Sequence, residues 1–393
     1  MRRIRDVERR ARLGRRHHLA GTARAGDVVQ VARDVVGLHS SDPASVFLSA
    51  GARLRRPDRA VAGLERALYE TRTLVRVLGM RRTMWVVPVE LLPVLQAGCT
   101  DALMRAERKR LVGMLEDQGV ARDGARWLRT VERATVAELE RRGDATGAEL
   151  AKAVPGLDAQ LRFGEGQKWQ NTVGVSTRVL YLLAVEQRVV RGRPTGTWTS
   201  SRYRWSPMDA WLPDRPPPLG AADARAELVR RWLATYGPAT TGDVKWWTGF
   251  TVAHTKAALA AVDAVEVELE DGTGWVLPGD DAPVRAPLPW VALLPSLDPA
   301  TMGWQQRGWY LGGLGPALFD TSGNAGPTVW ADGRVVGGWA QRRSGEVVSE
   351  LLVDIGREAR DAIGAAADDL QRRLGDVRVT PRFPTPLPRR LSA

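Results

Sequence analysis

His39-Ser40-Ser41-Asp42-Pro43 brings an imidazole, two hydroxyls and a carboxylate together between two apolar stretches. An imidazole can move a proton near neutral pH. A carboxylate can orient a water or stabilise a sugar-like cation, and a hydroxyl can align either. His39, Ser41 and Asp42 are therefore the candidate catalytic residues. Each also has a plainer reading. Asp followed by Pro is a helix start, with Asp42 as N-cap and Pro43 at the first helical position. His39 would close the preceding helix, where the C-terminal dipole favours an imidazolium. Ser41 would only fill a turn.

The surrounding elements must position this turn. Residues 27–38 read as an amphipathic helix with Val28, Ala32, Val35 and Val36 on one side. The segment PASVFLSAGARL gives a second helix and GLERALYETRTL a third. LVRVLGMRRTMWVVP then reads as two extended runs meeting at Gly79-Met80. Three helices followed by a hairpin is the order of a winged helix-turn-helix. The pattern recurs from about residue 135, where Thr146 and Glu149 have the spacing of a capping box. A third, shorter copy spans 223–277. The linker LPDRPPPLG separates the second and third copies. Beyond residue 288 the pattern is strand-like, GWYLGG included, with turns at Asp332-Gly333 and Ser344-Gly345, a helix at 357–374 and a Pro-rich tail.

The expected fold class is α+β: three tandem winged helix-turn-helix units followed by a small C-terminal β-barrel. The units are placed at 1–95 (carrying the turn), 96–213 and 220–287, and the barrel at 288–393.

The net charge is +12, and of 57 basic side chains only five are lysines. An Arg-rich basic chain suits a polyanion, because guanidinium forks onto phosphate and reads guanine. A GC-rich genome would raise Arg content as well. The single cysteine, Cys99, excludes a disulfide framework and a four-cysteine metal site and fits a reducing cytoplasm. The four histidines show no metal-ligand spacing, so no metal and no cofactor are expected. Without an apolar run after the basic N-terminus, or any run near 18 residues, neither a signal peptide nor a membrane span is expected. The expected location is the cytoplasm, at the nucleoid.

Candidate DNA contacts follow from placement. Arg81 and Arg82 fall at the tip of the first hairpin. Lys168, Trp169 and Gln170 precede the second unit's long helix. Arg178 starts that helix, and Arg202 and Arg204 lie in its hairpin. The arginines of residues 2–16 form either a solvated helix face or a basic arm. Trp246-Trp247 reads as core. Asp298 and Arg307 read as a structural ion pair, with Arg307 as an alternative DNA ligand.

GLHSSDP at 37–43, RRTMWVVP at 81–88, RVLYLLAVEQRVVRG at 178–192 and LLPSLDPATMGWQQR at 293–307 together resemble the winged-helix DNA glycosylases of the AlkZ and YcaQ type, over nearly the whole chain. The resemblance implies three tandem winged-helix units and a C-terminal barrel forming a concave basic surface on duplex DNA. It also implies excision of alkylated bases, including bulky genotoxin-derived adducts. The family's Gln-x-Gln or Gln-x-Asp motif falls on His39-Ser40-Ser41, where neither glutamine is present. Either His39 and Asp42 take over the role, or this branch binds DNA without catalysis as a regulator or lesion-shielding protein.

An N7- or N3-alkylated purine is cationic and leaves without protonation, so one anionic and one water-orienting group suffice. No step demands a Schiff base. The expected enzyme is a monofunctional, monomeric glycosylase that acts on double-stranded DNA containing alkylated purines, with little or no base flipping.

Overall fold

The computed structural model describes residues 1–164, 166 and 170–393. Helix α1 (Asp6–Arg16) comes first and joins neither expected category. Arg9 and Arg12 are 3% and 2% exposed. Arg9 lies over the Trp309 ring at 4.3 Å, and Arg12 pairs with Glu8 and with Asp280 at 3.1 Å. Backbone hydrogen bonds join Ile4 and Arg2 to Glu268. The basic N-terminus is thus a structural clasp on the third helical unit and the C-terminal region, although sequence placed it with the first. Arginine reaches carboxylates and aromatic faces across elements, and a helical wheel does not show such partners.

The first unit carries α2 (Val28–Asp34), α3 (Pro43–Gly51) and α4 (Ala60–Glu65). Its sheet runs in the order β1 (Leu38–His39), β3 (Met84–Pro88), β2 (Leu74–Leu78). Helix α2 stops early because Val36 and Gly37 take positive φ of 56° and 101°. A Cβ at Gly37 would meet Val87 Cγ1 at 2.8 Å, so glycine lets the chain turn from helix to strand against β3. His39 is consequently a strand residue opposite Trp85 and does not close helix α2, which ends at Asp34. Asp42 caps α3 as its sequence predicts.

The second unit has its own core, with Leu128, Leu139, Leu150 and Leu183 among the buried residues. It comprises α5 (Asp101–Asp117), α6 (Gly124–Arg142), α7 (Gly147–Ala153) and α8 (Val175–Val185). Strand β4 (Ala145–Thr146) pairs with β8 (Tyr203–Pro207), which pairs with β7 (Val189–Pro194). A small hairpin, β5 (Gln160–Phe163) and β6 (Asn171–Gly174), precedes α8. The capping box of Thr146 and Glu149 forms at the start of α7.

The third unit has α9 (Ala221–Tyr236), α10 (Thr241–Thr248), α11 (Val252–Ala261) and the hairpin β9 (Val265–Leu269), β10 (Gly272–Val276).

The C-terminal region corrects an expectation. Strands β11 (Val291–Leu294), β12 (Thr328–Ala331), β13 (Arg334–Gln341) and β14 (Val347–Leu351) form an antiparallel sheet in that order. The edges β11 and β14 do not pair, so the barrel is not formed among the described residues. Helix α12 (Arg357–Leu374) packs on both β11 and β14, burying Ile363, Leu370 and Leu374, and covers apolar surface that closure would otherwise bury. The expected Asp332-Gly333 turn forms, with φ of 46° and 81°. GWYLGG is a one-turn helix at Gly308–Leu311 rather than a strand, because the Tyr310 and Leu311 amides donate to the Arg307 carbonyl. The tail ends in α13 (Pro386–Leu391), seated on β13.

Asp298 does not pair with Arg307. Arg53 grips it through both guanidinium nitrogens at 2.6 and 2.8 Å, and Ser49 Oγ donates to it at 2.7 Å. Arg53 and Asp298 are fully buried and tie the first unit to the C-terminal sheet's approach loop.

Candidate active site and nucleic-acid interface

Strand pairing and the α3 cap fix the reactive turn from both sides. The Ser40 amide donates to the Met84 carbonyl, and Asp42 accepts from the Ala44 amide at 3.2 Å. His39 is 5% exposed, with its ring edge-on to Trp85 at 4.9 Å. The Ser41 amide donates to Nδ1 at 3.5 Å, which leaves the proton of a neutral ring on Nε2. Burial, and after it the Arg81 charge, pushes the His39 pKa down to about 3. The imidazole is therefore uncharged at neutral pH. It can donate from Nε2, but it has no proton to give as an acid.

Asp42 is turned away from open space. Its second carboxylate oxygen accepts from the Arg382 amide at 3.2 Å, and it faces a small enclosure bounded by Ser45, Ser296 and Gln341. Burial raises its pKa. Ser41 is half-buried, and its carbonyl accepts from Arg382 Nη1 at 3.3 Å.

Ser40 and Ser41 open onto a cleft of about 840 Å³ between the first unit, the second unit and the tail. Arg76 reaches it from β2, Arg191 from β7, Arg202 and Tyr203 from the second hairpin, and Arg382 and Phe383 from the tail. Among the described residues no carboxylate lies within 4.0 Å of any of these four arginines. Arg76 lies over the Tyr203 ring at 4.4 Å and Arg191 over Trp205 at 4.8 Å. Of this lining, only Ser41 and Arg202 are catalytic or DNA-contact candidates from the sequence, while Ser40, Pro43 and Thr146 are named there only as parts of the turn and the capping box. Arg76, an arginine in the middle of the apolar strand LVRVL, was a legible signal, since a buried cation there needs a partner. Nothing local marked Arg382 or Phe383, which lie more than 300 residues from the turn.

Other sequence candidates fall elsewhere. Arg81, in the β2–β3 turn, stacks on Trp246 at 4.0 Å, and Arg307 approaches the same ring at 5.0 Å. Burial and then Arg307 lower the Arg81 pKa to about 10. Trp246 is thus a platform between two cations, while Trp247 is core. Arg82 is ion-paired with Glu107, and Arg204 with Asp144 at 2.7 Å. Arg178 covers Phe163 at 4.5 Å. Gln170 is exposed and accepts from the Gly166 amide. Lys168 and Trp169 lie outside the described residues. Among those described, no cluster of side chains has the makings of a metal site, and no helix is long and apolar enough to cross a membrane.

The fold resembles that of the Streptomyces sahachiroi DNA glycosylase AlkZ, with a TM-score of 0.69 at 18% identity, covering 95% of this chain and 97% of that one. No curated protein matches the chain. The profile of the family described as DNA glycosylase AlkZ-like matches residues 32–373, a span that contains the turn, the cationic cleft's two main walls and the β sheet behind them. The protein therefore belongs to the AlkZ-like DNA glycosylase family and is a DNA glycosylase.

Proposed function

We propose that this glycosylase hydrolyses the N-glycosidic bond of N7- or N3-alkylated purines in duplex DNA, bulky adducts included, and leaves the strand uncut. The observation that carries this reading is the uncharged state of His39. A neutral buried imidazole cannot protonate a departing base at physiological pH, which favours a substrate whose base leaves unaided. A purine alkylated at N7 or N3 is already cationic and meets that condition.

In this scheme the Ser41 hydroxyl holds the water near the sugar carbon, and His39, which is not among the residues lining the cleft, sets Ser41 through the hydrogen bond from the Ser41 amide to its Nδ1. Asp42 acts as a positioning residue from behind the turn, through the Ala44 and Arg382 amides. Among the described residues no lysine lines the cleft, which favours simple hydrolysis over Schiff-base chemistry. The three helix-and-hairpin units are read as winged-helix modules. Arg202 in the cleft and the Arg81–Arg307 pair on Trp246 are read as phosphate ligands, with Arg82, Gln170, Arg178 and Arg204 as secondary contacts and Lys168 and Trp169 retained as candidates.

The competing reading, a protein that binds lesions without excising them, is favoured by the absence of both motif glutamines at 39 and 41. Duplex bearing N7-methylguanine or a bulky N7 adduct separates the two. The expected result is release of free base, with strand breaks appearing only after alkali. His39→Ala should lower the single-turnover rate about a hundredfold, the scale for losing one aligned polar group, with duplex affinity kept within a few-fold. Tight binding without abasic product from any adduct would establish the competing reading.

A further inference from the structure

Three guanidinium groups meet in the cleft with no carboxylate counter-ion among the described residues. Arg76 is 4% exposed, and its Nε and Nη1 are enclosed with no hydrogen-bond partner. Arg191 donates only to the Met84 sulfur, at 2.7 Å. Arg382 arrives from the tail, which crosses directly over the reactive turn. Its amide is held by Asp42, its Nη1 reaches the Ser41 carbonyl, and the Val379 amide before it is fixed by Gln341 Oε1 at 2.9 Å. The Ser40 and Tyr203 hydroxyls are likewise enclosed and unpartnered at the same wall. Burial first, then the charges of Arg76 and Arg382, lowers the Arg191 pKa to about 10, so the three groups share one electrostatic environment.

Arg76 is buried, Arg191 half-buried and Arg382 exposed. Like charges gathered without a carboxylate among the described residues are unfavourable in the free protein, and an external anion relieves both the repulsion and the missing hydrogen bonds at Arg76. We infer that Arg76, Arg191 and Arg382 form the seat of a single backbone phosphate of the DNA strand being processed, with Arg382 delivered by the C-terminal tail and locked there by Asp42. Arg382 lies in the tail beyond the family match at residues 32–373. The inference rests on the reading of the cleft as the DNA site. It gives Asp42 a second role besides capping α3, because the residue beside the reactive serines also sets the tail that holds the substrate.

The full-length protein is titrated with duplex bearing an abasic-site analogue over a range of KCl concentrations, as wild type and as Arg382→Ala and Arg191→Met. Each variant should bind more weakly and show a log–log salt slope shallower by about 0.9, the value of one phosphate contact. Arg360→Ala removes one charge from α12, outside the cleft, and should leave the slope unchanged. Arg191→Met should also melt no lower than wild type, since it removes an uncompensated buried charge, and this separates a lost contact from lost folding. Single methylphosphonate linkages placed in turn along the strand should weaken wild-type binding sharply at one position, and clearly less at that position in Arg382→Ala.

Equal salt slopes in wild type and both variants, or a methylphosphonate penalty as large in Arg382→Ala as in wild type, would overturn the phosphate seat while leaving the excision reading intact. Wild type that does not bind the duplex would overturn both.

Discussion

At the scale of single residues, the decisive property is the charge state of His39. Its pKa lies near 3 in the folded chain and near 6.5 when unfolded, so the unfolded state takes up the proton first. Stability linked to this group is fully present above about pH 6.5 and is lost as pH falls through that value towards 3. His17, buried and likewise depressed, acts in the same direction. Urea unfolding at a series of pH values should therefore show an acid limb beginning near 6.5, made shallower by His39→Gln. The excision rate on an N7-alkylated duplex should stay flat from about pH 6 to 8. A rate falling with a midpoint near 6.5 would show that the imidazole ionises during catalysis, against its buried neutral setting. The residue type at position 39 was plain from sequence. Its neutrality was not, because it comes from Trp85 packed against the ring and Arg81 brought up by a separate hairpin.

At the scale of elements, short-range stereochemistry was readable and the strand that carries the site was not. Asp42-Pro43, Thr146 with Glu149, and Asp332-Gly333 all form the cap, capping box and turn that their spacing predicts, since each is completed within a few residues. Residues 27–38 read as one helix because Val35 and Val36 continue the apolar periodicity. The positive φ at Val36 and Gly37 ends it and converts Leu38-His39 into a strand against β3. Gly37→Ala should therefore be costly. It places a methyl at 2.8 Å from Val87 Cγ1 in a left-handed conformation, and a loss of roughly 1–3 kcal/mol is expected from the backbone strain alone. Denaturant unfolding measures that loss, and because β1 carries the turn, excision should fall by more than the folded fraction does. A variant as stable and active as wild type would show that β1 can re-register without harm.

At the scale of the whole molecule, charge is sorted. Most arginines outside the cleft are spent on structure: Arg12 on Glu8 and Asp280, Arg108 on Glu132 and Glu186, and Arg53 on Asp298. Those in the cleft are left without carboxylates, so the net charge of +12 understates the field at the site. The Arg53–Asp298 pair is a fully buried tie between the first unit and the C-terminal region. Asp298→Ala strands a buried guanidinium and should lower unfolding free energy by about 3–5 kcal/mol, read from urea melts. Arg53→Met together with Asp298→Leu should recover much of that loss, because the double change leaves no buried charge unpaired. Failure of the double variant to recover would mean that the Ser49 and Ala300 hydrogen bonds to Asp298, rather than charge balance, hold the junction.

The sequence by itself determined the helices, their caps, the hairpin turns, the basic character and the place of the reactive turn. Periodicity, capping and turn chemistry act over a few residues and leave their marks locally. The tertiary structure alone decided which arginines are free, that Asp42 holds the tail instead of facing the cleft, that the C-terminal sheet stays open under α12, and that Arg382 stands beside Ser41. Those outcomes depend on contacts across hundreds of residues, where partners are chosen by packing and by the energetic penalty on an unpaired buried charge, and no local pattern encodes that choice.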